Sequence, residues 1–529
     1  MTEIWSRQIF LSLFLILFGL TALEGYYHPL FYSALFLLVP TFLLGLYDML
    51  QKGHAVLRNY PLLGHFRYIL ESVRPEIRQY FIDSDTDENP FSREMRSLVY
   101  QRAKGQRDTV PFGTQLDVNA LGYEWIGHSL NPKKVELKNA RVVIGESRCS
   151  KPYSASLFNI SAMSYGSLSR NAVLALNSGA KIGDFYHNTG EGGLTPYHLR
   201  YKADLVWEIG TSYFGCRTKE GKFSPDFFKE KAAKEEIKMI EIKLSQGAKP
   251  GHGGLLPKAK LTQEIAEIRG VEMGHDVHSP AAHSAFASPI GLLEFVTQLR
   301  ELSGGKPVGF KLCLGHPQEW FAIVKAMLQT KLVPDFITVD GGEGGTGAAP
   351  LEFSNYVGMP STEGLVLVHQ TLRGVGLRKK IKINTSSKVV TAFHLLQKLA
   401  LGADFTCSAR AMMFALGCIQ ALRCNTNNCP TGVASQNPKL YGGLVIDDKA
   451  RRVANFHRKT IEGVLELLGA AGFSSPSELG PQHIFRRTAV GKVQSLAEIY
   501  PRIEENAFLE NEIPAQWQKF WKEASAERF

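Results

Sequence analysis

The chain has 529 residues, 44% of them hydrophobic and 21% charged, with a formal net charge of +10. That balance is ordinary for a globular protein, and a modest positive charge without a Lys/Arg run or an RNA-binding motif argues against nucleic acid as a partner. Seven cysteines in a chain this long, three of them bunched, do not form a disulfide framework, which points to a reducing compartment for the main body.

Residues 8–23 (QIFLSLFLILFGLTAL) and 30–47 (LFYSALFLLVPTFLLGLY) are uncharged and strongly apolar. Each is near the lower limit of about 17–25 residues for crossing a bilayer. EGYYHP between them, with two tyrosines and Pro29, suits an interfacial turn. A cleaved signal peptide fits poorly, because a second apolar stretch follows and no small-x-small cleavage site ends the first. Runs rich in Leu and Phe without a polar face also argue against buried core helices. The expectation is a transmembrane helical hairpin. Arg7 precedes it, and Lys52, Arg58, Arg67 and Arg74 follow, so both ends face the cytoplasm and the main body is membrane-anchored there. Residues 51–150, with the acidic patch DSDTDENP, are expected to form a linker and an irregular polar subdomain; RVVIGESRCSKP (141–152) looks like a strand leading into the body.

From residue 155 a pattern repeats: a short apolar run, a glycine- or hydroxyl-rich loop, then a helical stretch. The runs are SLFNISAM (156–163), KIGDFYHNTG (181–190), LVWEIGT (205–211), IKMIEIKLS (237–245), PVGFKLCL (307–314), DFITVDGG (335–342), KIKINTSS (380–387) and DFTCSARA (404–411). Strands alternating with amphipathic stretches such as PIGLLEFVTQLREL imply a parallel sheet, and eight units imply an α/β (β/α)8 TIM barrel over about 155–430. The expected domains are the hairpin (1–50), the linker (51–150), the barrel with a cysteine loop (151–435) and a helical C-terminal extension (436–529). A doubly wound sheet is the competing architecture, since GEGGTG (342–347) matches G-x-G-x-x-G; Pro350 and Pro360 downstream do not favour the helix such a fingerprint opens.

Barrel chemistry sits in the loops after the strands, where SYGS, NTGEGG, SQGAKPGHGG, DGGEGGTGAAP, TSSK and SAR fall. The loops after strands seven and eight, the usual phosphate site, offer Ser386, Ser387, Lys388 and then Ser408, Ala409, Arg410. Hydroxyls, amides and two cations suit a phosphomonoester such as that of FMN; surface cations at helix starts are the plainer reading. Lys243, Lys249 and Lys311 come from strand ends or just beyond, and a lysine near a flavin pyrimidine ring stabilises the reduced form's charge. Glu191 can position a polar substrate or take part in proton transfer. Alternatively Glu191 and Lys249 neutralise one another and Lys311 is a strand-end ion-pair partner.

Cys418, Cys424 and Cys429 are spaced C-x5-C-x4-C, with Pro430 directly after. No C-x2-C pair, fourth cysteine or nearby histidine completes a usual zinc pattern. Three thiolates suit an iron–sulfur cluster lacking one iron; zinc with a non-cysteine ligand, or an accidental group of structural thiols, remains open.

SAMSYGSLSRNAVLALNSGA, HNTGEGG, IKLSQGAKPGHGGLLP, DGGEGGTGAAP and GCIQALRCNTNNCPTGVASQ together resemble the FMN-binding synthase domain of glutamate synthases, in the manner of its stand-alone members, over roughly residues 120–470. The resemblance implies a barrel holding FMN and a 3Fe–4S cluster on Cys418, Cys424 and Cys429. It implies an oxidoreductase in which 2-oxoglutarate and ammonia give 2-iminoglutarate, which takes a hydride from FMN N5 to yield L-glutamate. Matching positions imply FMN contacts from Ser161, Ala162, Met163 and Ser164, from Lys243 and Lys311, and from Asp340, Gly341, Gly342, Gly344, Gly345, Thr346 and Gly347. Ser386, Ser387, Lys388, Ala409 and Arg410 complete that set, and the candidate catalytic residues are Lys311, Lys249 and Glu191. Full glutamate synthases begin with an amidotransferase domain whose nucleophile is an N-terminal cysteine. Here Thr2 stands there and the first cysteine is Cys149, so ammonia from glutamine by that route is not expected. No second dinucleotide domain follows, so electrons are expected to pass to or from a ferredoxin or a reductase subunit. The family's KPGEGGQLPG reads KPGHGGLLPK, with His252 and Leu255 replacing acidic and amide residues at a substrate loop. A membrane-linked amine or amino-acid dehydrogenase, acting on a glutamate-like amine, and a non-catalytic flavin-binding subunit are the alternatives.

Overall fold

The structure, a computed structural model, describes residues 7–87 and 89–529 and divides the chain into two compact units, Met1–Arg93 and Glu94–Phe529.

In the first unit, helix α1 (Arg7–Tyr27) and helix α2 (Leu35–Leu50) are joined by a 3-10 turn, Pro29–Ala34. They pack through phenylalanines, Phe14 on Phe42 at 5.4 Å and Phe18 edge-on to Phe42 at 5.5 Å. Gly45 lets the helices close, since a Cβ there would lie 2.2 Å from the Phe10 ring. By length and composition both apolar segments, Arg7–Tyr27 and Pro29–Leu50, are long enough to cross a membrane, with hydropathy 1.9 each. Helix α3 (Leu63–Ile77) follows and runs into a π turn, Arg78–Ile82.

The second unit is built on a closed barrel of eight parallel strands. In chain order they are β1 (Phe158–Ile160), β2 (His187–Asn188), β3 (Leu205–Ile209), β4 (Ile237–Lys243), β5 (Val308–Cys313), β6 (Phe336–Asp340), β7 (Lys382–Thr385) and β8 (Phe405–Ser408). Each lies within one of the eight apolar runs, because strands covered on both faces read as continuous Val/Ile/Leu-rich stretches. The longest departure is the second run: its first residues, Lys181–Gly183, complete helix α4 (Arg170–Gly183), and only two residues pair as strand. Closure of β8 onto β1, with Cys407 opposite Asn159, removes the doubly wound alternative. The sequence 141–152 does not lead straight into the barrel. Arg141–Ile144 turns back on Tyr153–Ser156 as an antiparallel hairpin, and Ile144, Tyr153 and Ala155 pack with Tyr186, Val206, Met239, Phe336 and Phe405. Those partners lie at the starts of strands, so the hairpin plugs the end opposite the loops that follow the strands.

Helix α5 (Ile446–Ala470) lies along α4, and their approach is set by Gly179, where a Cβ would meet Ala450 O and Val453 at 2.8 Å. The remainder of the C-terminal region adds two strands, Ile484–Ala489 and Lys492–Ser495, to Glu124–Ile126. A last helix, Ala515–Glu523, seats Trp521 against Phe508 at 5.0 Å and Phe321 at 5.5 Å. The tail is thus fastened to the outer helices of the barrel.

Candidate active site

The chemistry-bearing side chains gather at the C-terminal ends of the barrel strands. Lys243 ends β4 and points into the barrel beside Lys311, its register partner on β5. Its ammonium meets Glu191 Oε1 at 2.7 Å and donates to Gln246 Oε1 at 2.6 Å. Glu191 is delivered by the glycine-rich loop after β2. Gly210 and Gly254 flank its carboxylate, and a Cβ at either would come within 3 Å of Glu191. Burial pushes the Glu191 carboxyl up, but Lys243, Lys249 and Arg269 outweigh it and hold the group at about 2. Glu191 therefore pairs directly with Lys243 rather than with Lys249. Lys249 is 3% exposed, and burial brings its ammonium down to about 8 against the pull of Glu191. Arg269 donates to Tyr165 O at 3.0 Å and stacks over Phe214, while its Nε finds no partner. Three cations thus surround one carboxylate in a buried pocket, which suits a small anion better than a neutral molecule.

Asp340 ends β6 and organises the next sector. Its Oδ1 accepts from Ser386 Oγ at 2.6 Å and Ser387 Oγ at 2.5 Å, and its Oδ2 accepts from Gly247 N at 2.8 Å. Burial raises the carboxyl; the Lys311 charge and these donors outweigh it, so the net shift is downward. Ser387 and Lys388 both adopt left-handed backbone, φ 75° and 52°. Lys388 is lowered by burial and then by neighbouring Arg410, and Arg410 donates to Glu343 O at 2.8 Å. Gly345 covers the Arg410 side chain, where a Cβ would stand 2.8 Å from Cδ. Gly341, Gly342 and Gly344 are equally crowded, while Thr346 and Gly347 are exposed at the loop's tip. Ser161, Ala162, Met163 and Ser164 leave β1 between Ser408, whose carbonyl accepts from Ser161 N at 3.1 Å, and Gly190, where a Cβ would strike Ser164 N at 2.5 Å. Ala409 caps the short helix that carries Arg410. Most of the expected cofactor residues therefore ring one mouth.

The loops after β4 and β6 come close at Gly247, where a Cβ would lie 1.9 Å from Gly341 O. Gly247→Ala is expected to separate the β4 and β6 loops and destabilise the chain by roughly 1–3 kcal/mol, read by urea denaturation. An unchanged midpoint would show that the loops part freely.

Lys311 lies below this ring. Its ammonium is bonded to Glu208 on β3 and stands 3.9 Å from Glu241 on β4. Glu241 also accepts from Asn188 at 2.9 Å and from Thr338 at 2.5 Å. Burial raises Glu241 to about 7 despite Lys311, with Glu208 adding to the rise. Glu208, Glu241, Arg269 and Gln246 were not singled out from the sequence. For the two glutamates a signal exists: an acid inside an apolar strand run (LVWEI, MIEIK) is buried only if paired. Arg269, at the end of a short helix in the β4–β5 connection, carries no such mark.

The cysteine loop leaves the short helix Arg410–Leu416 after β8. Gly417, Gln420, Leu422 and Asn427 all take left-handed backbone. The loop is clamped to the barrel by Asn427, which donates to Ala259 O at 2.8 Å and accepts from Gln436 N at 2.6 Å, and by Tyr100, which donates to Cys418 O at 2.6 Å. All seven cysteines are free. Among the described residues no three His, Cys, Asp or Glu side chains are placed to hold a single metal ion. Cys418 and Cys424 are raised by burial, and Cys418 further by the nearby thiols of Cys424 and Cys429. Lys260, buried beside them, donates to Ser167 O at 2.5 Å and Cys424 O at 3.3 Å.

A (β/α)8 barrel with a buried, charge-dense mouth and glycine-packed loops is the architecture in which barrel enzymes carry their chemistry, at the C-terminal ends of the strands. The model of the conserved region in glutamate synthase matches residues 123–474. The glutamate synthase large subunit-like protein YerD of Bacillus subtilis is 40% identical over 84% of this chain and 92% of its own length. An archaeal glutamate synthase [NADPH] of Methanocaldococcus jannaschii is 34% identical over 68% of this chain, which spans 66% of that protein. Among solved structures, a flavocytochrome b2 mutant with pyruvate bound gives a TM-score of 0.41 at 13% identity, covering 80% of this chain and 85% of its own, too weak a likeness to bear on function. The chain belongs to the glutamate synthase family, and its class is that of oxidoreductases.

Proposed function

We propose that this chain is an FMN- and iron–sulfur-dependent oxidoreductase of glutamate synthase type, reductively aminating 2-oxoglutarate with ammonia and taking electrons from a ferredoxin-like or reductase partner, while the apolar hairpin tethers it to a membrane. The observation that carries this reading is the pocket of Lys243, Lys249 and Arg269 around Glu191, whose excess of positive charge complements a dicarboxylate. Bound FMN would supply the hydride. The crowded glycines at 341–345 and the facing cations Lys388 and Arg410 fit a phosphorylated ring system lying across the mouth. Asp340 fixes Ser386 and Ser387 so that the left-handed backbone beyond them presents amides to a phosphate. Lys249 would hold a substrate carboxylate, and Glu191 would orient Lys243 beside the bound flavin.

Cys418, Cys424 and Cys429 suit a cluster better than a single ion. One tetrahedral ion needs sulfurs about 4 Å apart, whereas one thiolate per iron holds them further from each other. The buried Lys260, which donates to Cys424 O at 3.3 Å and would offset thiolate charge, supports that assignment.

Lys249 gives the reading a pH signature. With its ammonium at about 8, the charge is present at pH 7 and lost as the pH rises through 8. Binding of 2-oxoglutarate is expected to weaken about ten-fold between pH 7 and 9, and Lys249→Met is expected to abolish that step; a flat parent profile would remove Lys249 from the substrate site. The function itself is tested by anaerobic photoreduction followed by 2-oxoglutarate and ammonium, which should reoxidise the flavin. Bleaching of the oxidised protein by an amino acid instead would favour the dehydrogenase reading, in keeping with Leu255 in place of an amide at the substrate loop.

A further inference from the structure

Helix α3 carries its apolar residues on the wrong side for a soluble protein. At about 100° per residue, Leu63, Phe66, Leu70, Val73 and Ile77 share an arc of about 80°. This is the exposed face: Phe66 is 64%, Leu70 60% and, in the π turn, Phe81 84% exposed. The inward face is small and polar. Gly64 sits on Leu57, where a Cβ would meet Leu57 Cδ2 at 2.8 Å. His65 reaches the fully buried Asp48 of α2 at 2.9 Å, and Leu62 N donates to the same carboxylate at 3.0 Å. Tyr68 stands edge-on to His54 at 5.3 Å. These contacts fix the helix's rotation, so the outward display of Phe and Leu is built in. Arg67, Arg74 and Arg78 line one edge of the apolar arc, and with Leu70, Ile77 and Ile82 they border a groove of about 790 Å³.

An apolar stripe bordered by arginines is the pattern of a helix lying flat in a bilayer interface, its apolar side in the acyl boundary and its cations at headgroup depth. Continuity favours lipid over a protein partner. The outward faces of α1 and α2 in the same unit are apolar too, with Leu15 71% and Phe36 89% exposed. We propose that α3 and its π turn form an interfacial anchor, docking on the lipid surface with Phe66, Leu70 and Phe81 in the acyl boundary and Arg67, Arg74 and Arg78 on lipid phosphates. The inference rests on the hairpin's membrane insertion. Arg67 also meets Glu71 at 3.0 Å and Arg78 meets Asp83 at 3.0 Å, so the surface reads phosphate headgroups generally rather than selecting strongly for anionic lipid.

The test is photo-crosslinking of the full chain in nanodiscs of phosphatidylcholine and phosphatidylglycerol. Benzoylphenylalanine replaces Leu70, Phe81 or, as the control on the opposite side, Ser72, and adducts are identified by mass spectrometry. Lipid adducts at Leu70 and Phe81 are expected to exceed those at Ser72 by at least about five-fold. Adducts at Leu70 to a second copy, or to barrel peptides, would overturn the proposal, as would equal lipid labelling at Ser72. A chain that fails to co-float with vesicles refutes the hairpin and this anchor together; one that co-floats without lipid adducts refutes the anchor alone.

Discussion

Lys311→Met is expected to destabilise the protein by about 3–5 kcal/mol, the usual effect of breaking a buried ion pair. Lys311 is 5% exposed and is bonded to Glu208, with Glu241 3.9 Å away, so its loss leaves two buried carboxyls without a cation. The deficit should depend on pH. Glu241 is already raised to about 7 with Lys311 in place, and removing the charge that opposes the rise moves it further up. A carboxyl raised in the folded state contributes stability that is present below its unfolded value, about 4.3, and is lost as the pH climbs through the folded one. The variant should therefore lie closest to the parent in mild acid and fall furthest behind it above neutrality. Urea denaturation at acid and alkaline pH reads this directly; equal midpoints at both would overturn it. Adding Glu208→Leu to Lys311→Met should recover part of the loss, because the unpaired charge goes with it. The flavin potential of the loaded single variant separates an internal structural role from one that reaches the cofactor.

Cys429→Ser is expected to strip the purified protein of iron and acid-labile sulfide while leaving flavin in place. Cys429 is 6% exposed, near Thr431 at 3.4 Å, in a loop whose clamps at Asn427 and Gln436 do not involve the thiol. The fold around it should persist, and the Asp340–Ser386–Ser387 sector is held by its own bonds. Iron and sulfide analysis with visible absorbance checks this. Iron retained at the parent's level would assign the cysteines a structural role, whereas loss of flavin as well would mean the cysteine loop also supports the cofactor cradle.

A good part of this was readable along the chain. All eight strand runs became barrel strands, because strands buried on both faces need unbroken apolar stretches and the loops between them need glycine and hydroxyls. The ring of candidate cofactor residues from Ser161 to Arg410 followed, since closure of a parallel barrel places every strand end at one mouth. The hairpin at 141–156 was half visible: the apolar run showed a strand, but nothing local says that it reverses to plug the barrel instead of entering it.

The sequence by itself determined where strands, helices and chemical loops lie, because apolar periodicity and turn chemistry act over a few residues. Only the tertiary structure decided which charges meet. It paired Glu191 with Lys243, set the buried Lys249 near the same carboxylate, drew Arg269 in from a connection of no evident importance, and sank Lys311 onto Glu208 beneath the mouth. Ion pairing in a low-dielectric interior depends on separations of a few ångströms, and residues 103 positions apart, as Glu208 and Lys311 are, come within that range only when the barrel closes.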